Sequence, residues 1–558
     1  MTSPLNFPRY PREHLTRLIS LESGDLSAVL AFALAAGLMS LATPIAVQAL
    51  VNTIAFGVLL QPLVILMLTL FGCLALNSLL NGLQIFLVEM IQRRLFVRLV
   101  SQITRNLIDL SVAHPILQKG PELANYYFEV MTVQKTWTNL LLDGLGYGLQ
   151  TLIGLVLLAF YHPALLAFDV LIVSILYLIF SVLGKKGVET AVAESEAKYD
   201  VAAWLQSLPA NPLIIKWGHG SEWVWHRSDQ LSERYLERSH DHFKVVMKQQ
   251  TAILALYAFA NSSLLGLGGW MVIERQLTLG QLVAAELIVS AMLSGLTRLG
   301  KSVTSYYDLM AAMDKLSYLL DLPGERQTGE GLELTRNRLT LSLKGLTLTS
   351  DASDFTPPLT LPDVELAPGD KWIIQVPSPR QAGRILETIG GLRPAAAGSV
   401  RLNGVEAGVI KPSSLREHCA LVLKPEWIQG TLLENLRLGR THLDLEQIHV
   451  ILRRVGLEAT INRLPEGLQT MLQASGAPLD TSERWRLTLA RALVEPPSWL
   501  MVGELLDAVE SERVPELLDL LLDEKAAWTL ILATARDSVI RAVGARGRVT
   551  RLSPPATR

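Results

Sequence analysis

Apolar positions are grouped differently in the two halves of this chain. Up to about Leu320 they form long runs, and beyond about Leu339 they form short ones alternating with helical patterns. A helix crossing bilayer hydrocarbon needs about 20 mostly apolar residues. Six runs meet that requirement: Leu26–Ile54, Leu60–Leu87, Leu140–Phe160, Pro163–Leu183, Ala252–Ile273 and Leu277–Leu296. They pair into three hairpins through the short connections Ala55–Leu59, Tyr161–His162 and Glu274–Thr278. The other connections, notably Gln92–Thr138 and Lys185–Lys248, are long and carry both charges. Arg93, Arg94 and Arg98 continue the second run at amphipathic spacing, and Val188–Trp204 does so after the fourth, so these segments are expected to be helical.

In the second half, strand-like runs at Leu339–Leu348, Trp372–Val376, Ser399–Leu402, Ala420–Leu423, Leu500–Val502 and Thr529–Ala533 alternate with helical ones. That alternation predicts a parallel sheet with crossover helices. Between the halves, Pro323-Gly324-Glu325-Arg326 with Gly329 and Gly331 reads as a linker. The expected organisation is a membrane domain over 1–320, a linker over 321–338, an α/β domain over 339–553 and a tail over 554–558.

Composition fits this division. Half of the 558 residues are hydrophobic, only 18% are charged, and mean hydropathy is +0.32, which suggests membrane spans. A net charge of −2 gives no basis for binding nucleic acid. The two cysteines, Cys73 and Cys419, lack metal-type spacing and are expected to pack as small apolar side chains. The N-terminal stretch, with Arg9, Arg12 and Arg17, shows no cleavable leader. Arg275 is the one Lys or Arg in the three short turns. Positive charge collects on the cytoplasmic side of bacterial membranes, so the short turns are expected outside, and both termini and the long loops inside.

Six spans with helices extending beyond the membrane resemble the membrane domain of a type I ABC exporter. Thr43-Pro44-Ile45, Gln48, Val51-Asn52 and Leu59-Leu60-Gln61-Pro62-Leu63 look most like the haemolysin-exporter-like branch, the type I secretion ATPases. No peptidase-like domain is expected before the first span. The second half resembles the family's ATP-binding cassette. Gly430-Thr431 with Glu434-Asn435 stands at the family's GT-x-x-EN segment. Gly467, Gly476 and Leu479 lead its signature region, Leu489–Leu493 follows it, and Pro497 opens the Walker B strand. The fold class implied is an α-helical six-span membrane domain followed by an α/β ABC nucleotide-binding-type domain.

Set on those anchors, the resemblance puts unfamiliar residues at the chemical positions. A phosphate-binding loop needs glycines for close backbone approach, a Lys for the β/γ-phosphates and a hydroxyl for Mg²⁺. The corresponding segment, Val376–Arg384, reads VPSPRQAGR, with Ala382 at the Lys position and Gly383 at the hydroxyl position. The adenine-stacking position falls at Ser350, and the glutamine that links Mg²⁺ and attacking water falls at Lys424. The LSGGQ signature becomes Leu479-Asp480-Thr481-Ser482-Glu483. The Walker B Asp position is Gly503, and the switch His position is Ala535. Glu504 keeps the general-base position and is read as a leftover or as a polar residue at a subunit contact. Phosphoryl transfer rests on positioning and electrostatics, and one lost donor commonly costs about 10²–10³ in rate. Asp480 and Glu483 also set negative charge where a partner's triphosphate would face.

The reading is therefore an inner-membrane, ABC transporter-like subunit of a type I secretion system with a degenerate, ATPase-inactive cassette, acting structurally or in regulation. No cofactor is expected; ATP and Mg²⁺ enter only in the alternative, an ATP-driven exporter of protein, peptide or lipid with divergent working sites. A third reading is a binding module in which Arg380 and Arg384 meet an anion; otherwise they are solvated charges. The expected partners are the lipid bilayer, a second copy or an ABC subunit in a dimer, and a periplasmic adaptor protein. Within the sixth span, Glu286 either lines a translocation path or subunit interface or bonds to Asn77, Asn81 or Gln48. Asp169 is expected near the outer face and solvated, and Pro44 is expected to kink the first span. Tyr126–Lys135 and Leu208–Gly220 are candidate coupling helices, with Trp217, Trp223 and Trp225 as packing anchors.

Overall fold

The computed structural model describes residues 10–55, 60–112, 114, 116, 120–329, 339–348 and 359–552. They form two compact units, one up to Gly324 and one from Glu325 onward.

The first unit is helical: α1 (Pro11–Leu21), α2 (Ser23–Ser40), α3 (Ala42–Ala55), α4 (Leu60–Ile108), α5 (Gly120–Asn125), α6 (Glu129–Asn139), α7 (Leu145–Tyr161), α8 (Pro163–Leu178), α9 (Gly187–Ala210), α10 (Pro212–Lys216), α11 (Gly220–Ile273) and α12 (Leu279–Leu320). Six helical stretches are long and apolar enough to cross a membrane: Ser23–Asn52, Gln61–Ile108, Leu123–Phe160, Pro163–Leu183, Gly220–Ile273 and Leu279–Leu320. At 1.5 Å per residue, the 54 residues of α11 rise about 81 Å, well beyond the roughly 30 Å of hydrocarbon. The charged connections are thus helix extensions, as their spacing predicts.

Local chemistry sets where these helices turn. His162 is extended, its Nδ1 accepts from the Ala164 N–H at 3.1 Å, and Pro163 opens α8, so one residue separates α7 from α8. Thr278 starts α12 with a reciprocal capping box: its hydroxyl accepts from the Gln281 N–H at 3.1 Å while the Gln281 side chain accepts from the Thr278 N–H at 2.8 Å. The first span is broken between α2 and α3 at Leu41. Pro44 causes this, since its ring clashes with the carbonyl four residues back, that of Ser40. Arg94 bridges Glu22 at 3.1 Å and Asp25, which ties α4 to the start of α2.

In the second unit, all-parallel strands β11 (Arg548–Arg551), β3 (Lys371–Gln375), β10 (Thr529–Thr534), β9 (Trp499–Val502) and β6 (Cys419–Val422) lie side by side in that order. A second sheet, not foreseen as separate, is antiparallel in the order β2 (Val364–Leu366), β1 (Leu341–Leu348), β4 (Ala395–Leu402), β5 (Val405–Glu406). Two short strands, β7 (Gly430–Thr431) and β8 (Met471–Leu472), pair with each other. The helices are α13 (Pro379–Ile389), α14 (Pro412–His418), α15 (Leu432–Arg437), α16 (Leu445–Arg454), α17 (Glu458–Arg463), α18 (Thr481–Leu493), α19 (Leu505–Ala508), α20 (Val514–Leu521) and α21 (Asp537–Val543).

Strand periodicity divides the core in two. Ile373, Leu500, Val502, Leu530 and Leu532 join a cluster with α15–α18 and α20. Their neighbours Trp372, Ile374, Trp499, Met501, Ile531 and Ala533 join another with α13 and the antiparallel sheet. A parallel sheet buried on both faces reads as continuous apolar runs, which is why β9 and β10 were legible. Cys419 packs against the second cluster, and burial pushes its thiol up to about 12.

Three expectations are corrected. Asp169 is not solvated: it is 4% exposed, because it shares a face of α8 with the buried Leu165 and Ile172. Trp217, Trp223 and Trp225 do not anchor packing: all three are exposed, Trp217 at 78%, and Trp223 meets only the edge of Trp204 among the described aromatic rings. Arg384 is not a solvated charge: it is 7% exposed on the inner face of α13, while Arg380 is exposed.

Close packing makes a test of the first unit. A Cβ at Gly187 would lie 2.2 Å from the ring of Tyr307, whose hydroxyl accepts from Gln249 Nε2 at 2.9 Å. Gly187→Val is expected to destabilise by about 1–3 kcal/mol, the usual range for overpacking. A lowered thermal midpoint of the full-length chain in lipid nanodiscs checks this; an unchanged midpoint contradicts it.

Candidate functional site

The carboxyl ends of parallel strands lie on one side of their sheet, and open α/β sheets bind ligands there. This geometry gathers five of the sequence-derived positions. Val376–Pro379 leaves β3, Leu423-Lys424 leaves β6, Gly503-Glu504 leaves β9, and Ala535-Arg536 leaves β10. Asp480 belongs elsewhere, at the N-terminus of α18. Ser350 lies outside the described residues. Glu286 belongs to the first unit, where it is exposed on α12 and makes no side-chain hydrogen bond or ion pair among the described residues; the bonds considered for it to Asn77, Asn81 or Gln48 are not formed.

The turn from β3 into α13 has few amides to offer. The Val376 N–H donates to the Thr534 carbonyl at 3.0 Å, and the Gln381 N–H donates to the Ser378 carbonyl at 3.1 Å. Pro377 and Pro379 have no N–H, and Pro379 occupies the first turn of α13. Ala382 is fully buried and joins the apolar cluster with Ile385, Leu386 and Ile389. Gly383 has open space around its Cα. The interior side of the loop is therefore hydrocarbon, where the resemblance puts a lysine.

The end of β9 is closed in a related way. The Gly503 N–H donates to the Val422 carbonyl at 2.8 Å. A Cβ on Gly503 would meet Leu423 Cδ2 at 3.0 Å and Leu386 Cδ1 at 3.5 Å. Glu504 follows as the residue preceding α19, without a side-chain capping bond. Burial, reinforced by Asp507, raises its carboxyl above the usual range. Lys424 extends outward and pairs with Glu426 at 3.0 Å.

The sequence reading missed Asp507. Its carboxylate accepts from the Thr534 hydroxyl at 2.5 Å and from the Ala535 N–H at 3.1 Å, and its carbonyl accepts from Arg536 Nη2 at 2.8 Å. The segment that should carry a switch histidine is thus held by a carboxylate within the chain. The available signal was the acid spacing Glu504, Asp507, Glu510 after a buried strand.

The N-terminus of α18 is also occupied. Asp480 Oδ1 accepts from the Glu483 N–H at 2.7 Å, and Glu483 Oε2 accepts from the Asp480 N–H at 2.9 Å. The second Glu483 oxygen accepts from the Thr460 hydroxyl at 2.7 Å. The Ser482 hydroxyl donates to Glu510 and, with Arg486 and Arg513 nearby, holds that carboxyl below its usual range. The positive end of the helix and its orphan amides meet carboxylates of this chain.

No protein-family model matches the chain. Sequence similarity reaches the mycobactin import ATP-binding/permease protein IrtB of Mycolicibacterium thermoresistibile, 26% identical over 296 residues, 52% of this chain and 48% of that protein. It reaches the cyclolysin secretion/processing ATP-binding protein CyaB of Bordetella pertussis, 24% over 321 residues, 57% of this chain and 44% of that protein. It also reaches the ATP-dependent lipid A-core flippase of Chromobacterium violaceum, 30% over 241 residues, 42% of this chain and 41% of that protein. The chain spans about half the length of the curated relatives it matches. In structure it is similar to a bacterial Atm1-family ABC exporter with ATP bound, at TM-score 0.81 and 16% identity over 96% of this chain and 94% of that one. The chain has the fold of an ABC exporter, a multi-pass membrane protein with a nucleotide-binding-type α/β domain, and the resemblance read from its motifs holds at that level.

Two substitutions test the local chemistry. Asp480→Ala removes the cap of α18 and is expected to cost about 1 kcal/mol of stability. Chemical denaturation of the full-length chain checks it, with an unchanged midpoint contradicting the role. For Glu504, a raised folded pKa means that the native state holds its proton more tightly than the unfolded state, so stability falls as pH rises through that region. Glu504→Gln is expected to raise the thermal midpoint at pH 7, with the gain shrinking toward pH 4.5. Thermal scans across that range decide it.

Proposed function

We propose that this chain is a structural or regulatory subunit of a membrane export assembly of the type I secretion kind, and that its nucleotide-type unit does not hydrolyse ATP. The observation that carries this reading is the reciprocal capping of α18 by Asp480 and Glu483. A helix start with two carboxylates bonded into it repels a triphosphate rather than receiving one. Ala382 within an apolar cluster and Gly503 beneath Leu423 and Leu386 support it. Neither position can supply a cation or a metal ligand, and MgATP does not fit this residue set. Glu504 alone has no positioned phosphate to act on.

In this reading the subunit works in a dimer. Both halves of the nucleotide sandwich, P-loop and signature, are altered in one chain. Pairing with an intact ABC subunit would spoil both composite sites, and pairing with itself leaves no motor. The partners are an ABC subunit or a second copy, and a periplasmic adaptor. The subunit sits in the bacterial inner membrane with both termini in the cytoplasm, a placement supported by the near absence of Lys and Arg from the short turns. The relatives are named for mycobactin import, cyclolysin secretion and lipid A-core flipping, so similarity selects no cargo.

The test is Mg²⁺-dependent ATP hydrolysis by the full-length chain in lipid nanodiscs, beside a titration with a fluorescent ATP analogue. The expected result is no saturable binding and turnover no higher than that of Glu504→Gln. Turnover that Glu504→Gln abolishes overturns the proposal and favours the alternative of an ATP-driven exporter.

A further inference from the structure

Asp169 is an acid set into hydrocarbon. It lies six residues into α8 from Pro163, about 9 Å along the helix from the short turn at His162. Leu165, Phe168, Asp169 and Ile172 fall at i, i+3, i+4 and i+7, the spacing of one helical face, and all four are buried. Leu166, Val170 and Val173 are exposed. Asp169 is 4% exposed, and neither of its carboxyl oxygens has a hydrogen-bond partner among the described residues. The other deeply buried acids described are all engaged. Glu22 pairs with Arg94 and Arg98, Glu129 accepts from Lys198 and Tyr199, and Glu483 accepts from Thr460 and the Asp480 N–H.

The elements packed around α8 supply no countercharge. Its neighbours are α7 and α11. There is no acidic or basic residue in α7, and none in α11 from Ala252 to Ile273; the titratable residues of those stretches are Tyr147, Tyr161 and Tyr257. From α12, Ala285, Val289 and Met292 join the same apolar cluster as Leu165 and Ile172. The charged residues of α12 between Leu279 and Gly300 are Glu286, which is exposed, and Arg298, which donates to the Tyr147 hydroxyl. His162 Nδ1 already accepts from the Ala164 N–H. An ionised carboxylate withdrawn from water without a partner is strongly unfavourable. The neutral acid differs, because it brings its own O–H donor. A carbonyl of the preceding turn can receive that donor, as the Val170 carbonyl receives the Ser174 hydroxyl at 2.7 Å on the same helix.

We propose that Asp169 is a proton-binding site of the first unit, and that its proton keeps α8 seated on α7 and α11. The ligand is a proton and not a metal cation. Hard cations require several oxygen ligands, and neither oxygen of Asp169 has a polar group within bonding distance among the described residues. Loss of the proton leaves a charge that the packed face cannot hold. Release therefore requires α8 to part from its neighbours or to admit water. Proton occupancy and helix seating are two readings of one equilibrium. The assignment holds whether or not the second unit hydrolyses ATP.

The test uses the full-length chain in lipid nanodiscs at neutral pH. A protonated carboxyl in hydrocarbon shows an infrared C=O stretching band above the amide bands. Wild type is expected to show that band, and Asp169→Asn to lose it. Dicyclohexylcarbodiimide, an apolar reagent, gives a second reading that needs no variant and carries the test if Asp169→Asn is not monodisperse. The acid adds across the C=N bond: its oxygen bonds to carbon and its proton passes to nitrogen. Transfer of the acyl group from oxygen to nitrogen then leaves a stable N-acylurea, with nothing released. Peptide mass spectrometry is expected to find this adduct on Asp169, no adduct from a water-soluble carbodiimide, and no change when sodium or magnesium chloride is raised at constant pH. An infrared spectrum that Asp169→Asn leaves unchanged, or an Asp169 that dicyclohexylcarbodiimide does not modify, overturns the site. Equal modification by the two reagents makes Asp169 a hydrated carboxylate, and protection by sodium or magnesium makes it a cation ligand; either result overturns the proton assignment.

Discussion

A backbone N–H withdrawn from water must find an acceptor, and this chain meets that demand largely with its own groups. In the first unit the demand produces continuous helices, since hydrocarbon supplies no alternative partner. Their interruptions are few and chemically marked, by His162 with Pro163 and by Thr278 with Gln281. In the second unit the same demand falls on helix starts and strand ends. Thr431 with Glu434 caps α15, Asp480 with Glu483 caps α18, and Asp507 receives the Ala535 amide. Amides of this kind are what a phosphate would otherwise engage.

Hydrophobic packing reinforces the same outcome from the other side. The parallel sheet is buried on both faces, and α13 lies against one of them through Ala382, Ile385, Leu386 and Ile389. Leu386 thus serves two neighbours, the cluster beneath α13 and the space over Gly503. The loop at Val376 and the end of β9 are coupled through one side chain, although the sequence separates them by more than a hundred residues. Our proposal of a non-hydrolysing subunit draws on this coupling as much as on the missing charges.

Much of the fold was legible because its strongest signals are local. Six apolar runs of spanning length and the short turns between them follow from hydropathy alone. Strands β9 and β10 were readable as uninterrupted apolar runs. The antiparallel sheet was less so, because β2 and β5 are only a few residues long and owe their pairing to β1 and β4. Burial of single polar residues was least legible. Asp169 and Arg384 read as solvated from their chemistry, whereas helix rotation, which sequence does not fix, turns both inward. The tryptophans near α10 failed in the opposite sense, since an aromatic side chain says what it prefers to bury, not whether its own unit provides a surface.

The glycine at the end of β9 has a consequence for redesign. Leu423 and Leu386 stand within contact of any atom added to Gly503. An aspartate placed there alone would bring its carboxylate against hydrocarbon, and a lysine placed at Ala382 would enter a filled cluster. Each substitution would be harmful before its neighbours were repacked. Packing makes the two positions interdependent, so a charge installed at either one needs the surrounding leucines changed with it.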